Sequence, residues 1–354
     1  MTKFTIIIPT YNRPNYLKRT LGYYKECKDD FEIIIADSSS DENKKKNKEV
    51  ISLFPSLKIL HLNNYLESIN PWYKFADAIN FVKSKYCLFC SDDDFVIPKT
   101  VSFCTDFLEN NSNFITAHGH YIMFYLKKKR GRNKKIYWLS EYSLESLTNS
   151  QAELRLKEHL SDYSLPTFSA VHRTYFLKMA LEETTKYARD NRFGELLPSM
   201  LASIYGKIKC FDLPYAVQEI NINSTGTTTE TLEDFIKKGT YEEKYRKFRN
   251  CLSVHLSKNS KLDREKSEKI IDSAMNDYLG KNYPENSKSF LTKKMKDILK
   301  ILPPEAYNII KSLYIRSKLS KLKDNFSILI NSPSFEYYED FRKIQDCLIS
   351  YNKI

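Results

Sequence analysis

Three adjacent carboxylates, Asp92, Asp93 and Asp94, follow the apolar run Tyr86-Cys87-Leu88-Phe89-Cys90 and precede Phe95-Val96-Ile97-Pro98. Side by side they repel one another, so a fold that gathers them at a strand end must neutralise them. A divalent cation taking hard oxygen ligands would do so. The run before them is short, apolar and aromatic, the pattern of a buried strand. An open α/β sheet binds its ligand beyond the C-terminal ends of its strands, where this run delivers the aspartates. The alternative is an acidic surface turn, which Asp also favours.

Other elements must bring partners to that edge. Phe4-Thr5-Ile6-Ile7-Ile8 reads as a first strand ending at Pro9, and Glu32-Ile33-Ile34-Ile35-Ala36 as a second, ending in the polar cluster Asp37-Ser38-Ser39-Ser40-Asp41. Leu57 to Leu62 is a third candidate. Between them, Arg13-Pro14 opens a helix carrying Leu17, Leu21 and Tyr24, and a charged helix is predicted from Glu42 to Leu53. Pro71 opens a helix with Trp72, Phe75, Ala76, Ile79 and Val82 on one face. This alternation predicts an α/β fold with a mostly parallel sheet flanked by helices. Right-handed crossovers place the strand ends on one edge, gathering Thr10-Tyr11-Asn12, Asp37 and Asp92 to Asp94 around one crevice.

With these segments in order, the chain resembles the family-two glycosyltransferases. Ile6-Ile7-Ile8-Pro9-Thr10-Tyr11-Asn12-Arg13 is similar to their opening strand and loop. Ile33-Ile34-Ile35-Ala36-Asp37-Ser38-Ser39-Ser40-Asp41 is similar to their second strand and its acidic turn, and Asp92-Asp93-Asp94 to their Asp-x-Asp metal motif. The likeness covers roughly residues 3–100 and continues more weakly to about 225. It implies a GT-A nucleotide-diphospho-sugar transferase fold and inverting transfer of a sugar from a nucleotide donor to an acceptor hydroxyl. By that resemblance Pro9, Thr10 and Tyr11, with Arg13 in the same loop, line the donor pocket. Asp37 accepts a hydrogen bond from the base. Asp92, with Asp93 beside it, faces the ribose or the metal, and Asp94 ligates Mn²⁺ or Mg²⁺. A cation there stabilises the charge on the departing diphosphate as a Lewis acid. As a structural reading, Asp37 is a helix cap or turn residue.

An inverting transferase needs a carboxylate to take the acceptor proton. In the family it comes from an acidic Glu-Asp pair at the start of a later helix. Glu195 occupies the similar place here, but the pair is Gly194-Glu195, and Asp190 is the rival. A glutamate at that position also suits the positive end of a helix. Farther along, Phe114 to Ala117 and Tyr121 to Tyr125 read as strands. The basic run Lys127 to Arg132 with Lys134-Lys135 reads as a solvated hairpin tip, and Leu154 to Leu160 as helical. His172 reads first as a paired or surface histidine, with a phosphate contact by His172 or Arg173 as the alternative. Ile208 to Tyr215 reads as a strand, and the polar run from Asn221 to Thr229 as a loop closing over the donor.

Residues 1–230 are accordingly expected to form the catalytic domain and 231–354 a helical, basic extension. Between Pro284 and Asp324 the chain carries ten Lys or Arg against four acids, with apolar residues at helical spacing. Such helices can lie on an anionic membrane surface. The alternative is packing on the catalytic domain or on a second subunit of a homo-oligomer. The net charge of +12 suits anionic partners: a nucleotide-sugar donor, a glycan or lipid-linked acceptor, or a membrane face. Nucleic acid is not expected, because no zinc-finger, helix-turn-helix or RNA-binding signature is present. The chain opens with no signal-peptide pattern and has no apolar run long enough to span a bilayer. Its seven cysteines are scattered and odd in number, so a reducing cytoplasm is expected, with peripheral contact at the inner membrane face. Cys87-x-x-Cys90 reads as core. The expected function is a metal-dependent inverting glycosyltransferase of bacterial capsule, O-antigen or lipooligosaccharide synthesis. The alternatives are a non-catalytic binding or scaffold protein on a degenerate GT-A fold, or a sugar nucleotidyltransferase. The last usually opens with a glycine-rich phosphate loop, where this chain has Pro9-Thr10-Tyr11-Asn12.

Overall fold

Successive side chains on a strand point to opposite faces of the sheet, so an unbroken β-branched run requires cover on both sides. The first strands meet this requirement in a computed structural model that describes residues 2–129, 132–142, 145–163, 167–220, 230–282 and 326–351. They are β1 (Phe4–Thr10), β2 (Phe31–Asp37) and β4 (Tyr86–Phe89); the edge strand β3 (Ile59–Leu62) leaves Leu60 exposed, and α1 (Pro14–Lys25), α2 (Asp41–Ser52) and α3 (Pro71–Ala78) alternate with the four. Ile6, Ile8, Ile33, Ile35 and Leu88 enter one core, and Ile7, Ile34, Ala36, Cys87 and Phe89 the other. Cys87 and Cys90 therefore belong to opposite cores, and neither is disulfide-bonded. β1 runs through Pro9, rather than stopping at it, so that Thr10 pairs with Asp37. The helix at Pro71 ends at Ala78 in a 3₁₀ turn, leaving Val82 beyond it.

Beyond β5 (Phe95–Val96) and α4 (Pro98–Asn110) come β6 (Phe114–Lys129), β7 (Arg132–Tyr142), α5 (Ala152–Ser161) and β8 (Val171–Arg173). Then follow α6 (Thr174–Tyr187), α7 (Phe193–Tyr205) and β9 (Lys207–Glu219). The sheet order is β3-β2-β1-β4-β8-β6-β9-β5, with β7 paired to β6. Pairing is parallel from β3 to β4, antiparallel where β8 joins β4 and β6, and parallel again between β6 and β9. The two strands expected at 114–117 and 121–125 are one strand with a bulge near Gly119. A Cβ there would lie 2.2 Å from the Leu213 carbonyl oxygen, so the strand passes this point only as glycine. Within the basic run, Lys127 pairs with Lys135 and Lys129 with Arg132 between β6 and β7.

The chain continues through α8 (Leu232–Lys237), α9 (Tyr241–Asn259) and α10 (Arg264–Asn282). Phe235, Phe248, Leu252, Ile271 and Met275 join the core built by α5, α6 and α7. After α11 (Ser327–Ile330), α12 (Tyr338–Ser350) returns to the other face of the sheet. There Phe341 meets Trp138 edge-on at 5.4 Å. The amphipathic faces of these C-terminal helices thus pack inward. The basic stretch 284–324 lies outside the described residues, as does the polar run 221–229. No helix among the described residues is long and apolar enough to cross a membrane.

Three buried histidines sit in these layers. Burial pushes His118 down to about 4, His159 to about 3 and His172 to about 4. In the unfolded chain a histidine titrates near about 6.5. Between these values the unfolded state binds the extra protons, so stability is full above about pH 6.5 and falls as the pH drops toward about 4. The urea-unfolding midpoint is expected to fall between about pH 7 and about pH 5, and His118→Gln to flatten that slope.

Candidate active site

The C-terminal ends of β1, β2 and β4 lie side by side, and hydrogen bonds tie their loops into one crevice. Thr10 Oγ1 donates to Asp92 Oδ2 at 2.7 Å. The Arg13 guanidinium reaches across to donate to Asp93 Oδ2 at 2.8 Å and to Asp92 Oδ1. Thr20 Oγ1 and Arg19 Nη2 hold the main-chain carbonyls of Asp92 and Asp93, each at 2.7 Å. Arg13 therefore offsets one of the two negative charges of Asp92 and Asp93. Asp94 differs: its Oδ1 accepts from the Glu219 N–H at 3.0 Å, while its Oδ2 takes no hydrogen bond among the described residues. Burial and the Asp93 charge push Asp92 up to about 7 despite Arg13. Burial and the charges of Asp93 and Glu219 push Asp94 up as well. The turn is short of positive charge around Asp94.

The neighbouring loops are stapled together by Asn12, which sits at φ 55°, a left-handed conformation that Asn tolerates. Its N–H donates to Ser39 Oγ at 2.8 Å and its Oδ1 accepts from the Ser40 N–H at 2.8 Å. Tyr11 is half-exposed at the rim and donates to Glu67. Asp37 is sealed from solvent. Its Oδ1 accepts from the Ser39 N–H at 2.9 Å, and its Oδ2 meets Asn47 Nδ2 at 2.9 Å and His61 Nε2 at 3.0 Å. Burial alone would raise its pKa, but the bonds from His61, Ser39 and Asn47 bring it down to about 2. Beneath both loops lies Lys74 of α3, whose Nζ donates to Ser38 Oγ at 2.9 Å and to the Thr10 carbonyl at 3.3 Å. Burial lowers it to about 8, while Asp92 and Asp37 favour its charged form.

The later carboxylates separate into two environments. Asp190 Oδ1 accepts from the Arg192 and Phe193 N–H groups at 3.0 and 2.9 Å, capping α7. Glu195, in the first turn of α7, has no hydrogen bond or ion pair to its carboxylate among the described residues. Burial raises its pKa against the pull of Arg192. Glu195 makes no contact of this kind with Asp92 to Asp94. Its helix instead docks on α3, where the Trp72 indole fills the space that a Cβ at Gly194 would need, 2.3 Å away. Trp72 is fixed by its Nε1–H bond to the Asp190 carbonyl at 3.1 Å and by edge contacts with Phe75 and Phe168. The Gly194-Glu195 sequence thus reflects a close helix approach. Restoring an acidic pair with Gly194→Asp is expected to cost about 1–3 kcal/mol and to lower the melting temperature by several degrees in a thermal scan.

His172 and Arg173 serve the fold. His172 Nε2 bonds the Thr167 and Phe168 carbonyls, and Arg173 donates to the Phe114, Leu108 and Asn111 carbonyls. Sequence reasoning missed Lys74, Arg19 and Glu219. Arg19 Nη1 donates to Glu219 Oε2 at 2.6 Å in a buried pair, latching the end of β9 to the aspartate turn. Lys74 stands among apolar neighbours on α3, and Glu219 lies 125 residues from Asp94 in the chain, so no local pattern marks either.

A sheet of this order with an acidic turn at its strand ends is the architecture of the GT-A fold. Residues 5–179, 175 of the 354, match the model of Glycosyl transferase family 2 and form the part of the chain that carries the likeness to that family. A crystal structure of S. aureus TarS residues 1–349 in complex with UDP-GlcNAc shares the fold, with a TM-score of 0.52 and 15% identity over 99% of this chain and 91% of that one. The same fragment in complex with UDP gives a TM-score of 0.47 at 15% identity over the same shares. The longer S. aureus TarS structure gives 0.46 at 16% identity over 99% of this chain, which spans 55% of it. No curated protein matches the chain.

Proposed function

We propose that this chain moves a sugar from a nucleoside-diphosphate sugar to an acceptor hydroxyl with inversion, using Mn²⁺ or Mg²⁺. The observation that carries the reading is the charge arrangement at the turn. Arg13 pairs with Asp92 and Asp93, while Asp94 Oδ2 takes no hydrogen bond among the described residues and a second carboxylate, Glu219, lies near. That fits a hard cation taking one or two protein carboxylates and completing its shell with phosphate and water. The three aspartates do not form a cage of their own: among the described residues, only Glu183, Cys251 and His255 bring three such ligand atoms within 4.8 Å of one another. Asp94, with Asp92 behind it, would hold the ion. When bound, the ion would offset the charge on the departing diphosphate.

The remaining roles belong to the chain's own residues. Pro9, Thr10 and Tyr11 line the nucleoside pocket, Tyr11 offering its exposed ring at the rim. Asp37 holds the Ser38-Ser39 turn and accepts from the base at Oδ1 once the loop that seals it moves aside. Arg13 and Asp93 position the donor side of the crevice. Glu195 takes the acceptor proton; its unengaged carboxylate supports that role, whereas Asp190 is committed to capping α7. The acceptor is a glycan or lipid-linked saccharide of bacterial surface-polysaccharide assembly, and the enzyme works in the cytoplasm at the inner membrane face. Both of these assignments rest on the family and on the basic stretch 284–324. Residues 1–230 form the catalytic unit, and the helices after 230 buttress it.

A panel of nucleotide sugars, beginning with UDP sugars, tests the reading by release of free nucleotide. Release is expected with one donor class, with Mn²⁺ or Mg²⁺ present, and it should stop in excess chelator. No release from any donor, together with no donor-induced rise in melting temperature, would leave a binding or scaffold role instead.

A further inference from the structure

We infer that Glu183, Cys251 and His255 form a second metal site, built for a single zinc-class divalent cation, at the junction of α6 with α9. Cys251 and His255 are four residues apart on α9, so both project from one face of that helix. Glu183 reaches them from α6. His255 Nε2 lies 3.4 Å from Glu183 Oε2, and Cys251 Sγ lies 3.6 Å from the same oxygen. Zinc bonds of about 2.0–2.1 Å to nitrogen, 2.0–2.2 Å to oxygen and 2.3 Å to sulfur, set at tetrahedral angles, require edges of about 3.4 Å for N···O and about 3.6 Å for S···O. The cluster already has both edges, and all three ligand atoms lie within 4.8 Å of one another.

The outer surroundings match a metal ligand set as well. The other ring nitrogen of His255, Nδ1, is 2.8 Å from the Tyr205 hydroxyl at the end of α7, which fixes the ring with Nε2 turned to the cluster. Lys186 binds the far oxygen of Glu183, Oε1, at 3.0 Å and leaves Oε2 directed at Cys251 and His255. A thiolate, an imidazole and one carboxylate make a borderline-soft donor set. It selects zinc over the Mg²⁺ or Mn²⁺ suited to Asp94. Burial keeps the Cys251 thiol protonated without metal, so binding expels that proton to solvent as the sulfur–metal bond forms. The ion would cross-link the C-terminal helices to α6. The cluster shares no residue with the crevice of Asp92 to Asp94.

The test is titration of the chelator-stripped, full-length chain with Co²⁺, followed by absorption spectroscopy. One equivalent is expected to give a thiolate-to-metal charge-transfer band with the intense visible bands of a tetrahedral ion, and Zn²⁺ should displace it and raise the melting temperature. Cys251→Ser should abolish the charge-transfer band. Asp94→Ala and Cys87→Ser should retain it. His255→Gln and Glu183→Gln should weaken Co²⁺ binding at least about tenfold, and Tyr205→Phe by about 10–100-fold. If Cys251→Ser does not fold, the His255 and Glu183 variants decide the question by the same band. Absence of a thiolate band in the native chain, or a band that persists with unchanged affinity in the Cys251, His255 and Glu183 variants, would overturn the site.

Discussion

Replacing Asp94 with alanine is expected to reduce sugar transfer by at least about a thousandfold while leaving the melting temperature of the donor-free protein nearly unchanged. The size follows from what is lost: several kcal/mol of stabilisation on a diphosphate leaving group, at about 1.4 kcal/mol per tenfold in rate. The fold should tolerate the change because, among the described residues, the Asp94 carboxylate makes one hydrogen bond, from the Glu219 N–H. Its burial beside Asp93 and Glu219 is unfavourable to the charge in the donor-free state. Asp92 is a different case, since Thr10 and Arg13 both depend on it. Asp92→Ala would take away the acceptor of Thr10 and one of the two carboxylate partners of Arg13, and lower stability as well as activity. Nucleotide release measured on Asp94→Ala beside circular-dichroism melting separates the two effects. Transfer at the native rate by that variant in excess chelator would remove the metal from the account.

The second large effect concerns the base. Glu195→Gln should lower kcat by about 10²–10⁴, the usual contribution of a positioned general base, with donor affinity preserved. Asp190→Asn should leave kcat close to native with little loss of stability, since Asn keeps the accepting Oδ1 and caps a helix about as well as Asp. If instead Asp190→Asn alone stops transfer, the assignment passes to Asp190. The pH profile adds a sign. Burial raises the pKa of Glu195, and a base works only when ionised, so the acid limb of kcat/KM should lie above the ordinary glutamate range.

How much of this was legible in the sequence depends on the range over which each constraint acts. The strands at Ile6, Ile33 and Leu88 could be read because both faces of a buried parallel strand must be apolar, a condition written into consecutive residues. The crevice followed from them, since parallel pairing puts Thr10 opposite Asp37 whatever the details. The neutralisation of the aspartates was misjudged in part. Arg13 was read as part of the donor loop, yet its guanidinium reaches Asp92 and Asp93, 79 and 80 residues on. Lys74, Arg19 and Glu219 escaped for the same reason: each is an ordinary charged residue until the fold brings it to its partner. The bulge at Gly119 and the close approach at Gly194 are set by Leu213 and Trp72, and nothing in the sequence near either glycine announces them.

The most direct measurement of the central claim is a crystal structure of the chain with Mn²⁺ and a nucleoside diphosphate, the ion located by its anomalous scattering. One peak is expected within bonding distance of an Asp94 carboxylate oxygen, with the base beside Tyr11. An ion bound away from Asp94, or a nucleotide seated outside the crevice shared by Thr10, Asp37 and Asp92, would contradict it.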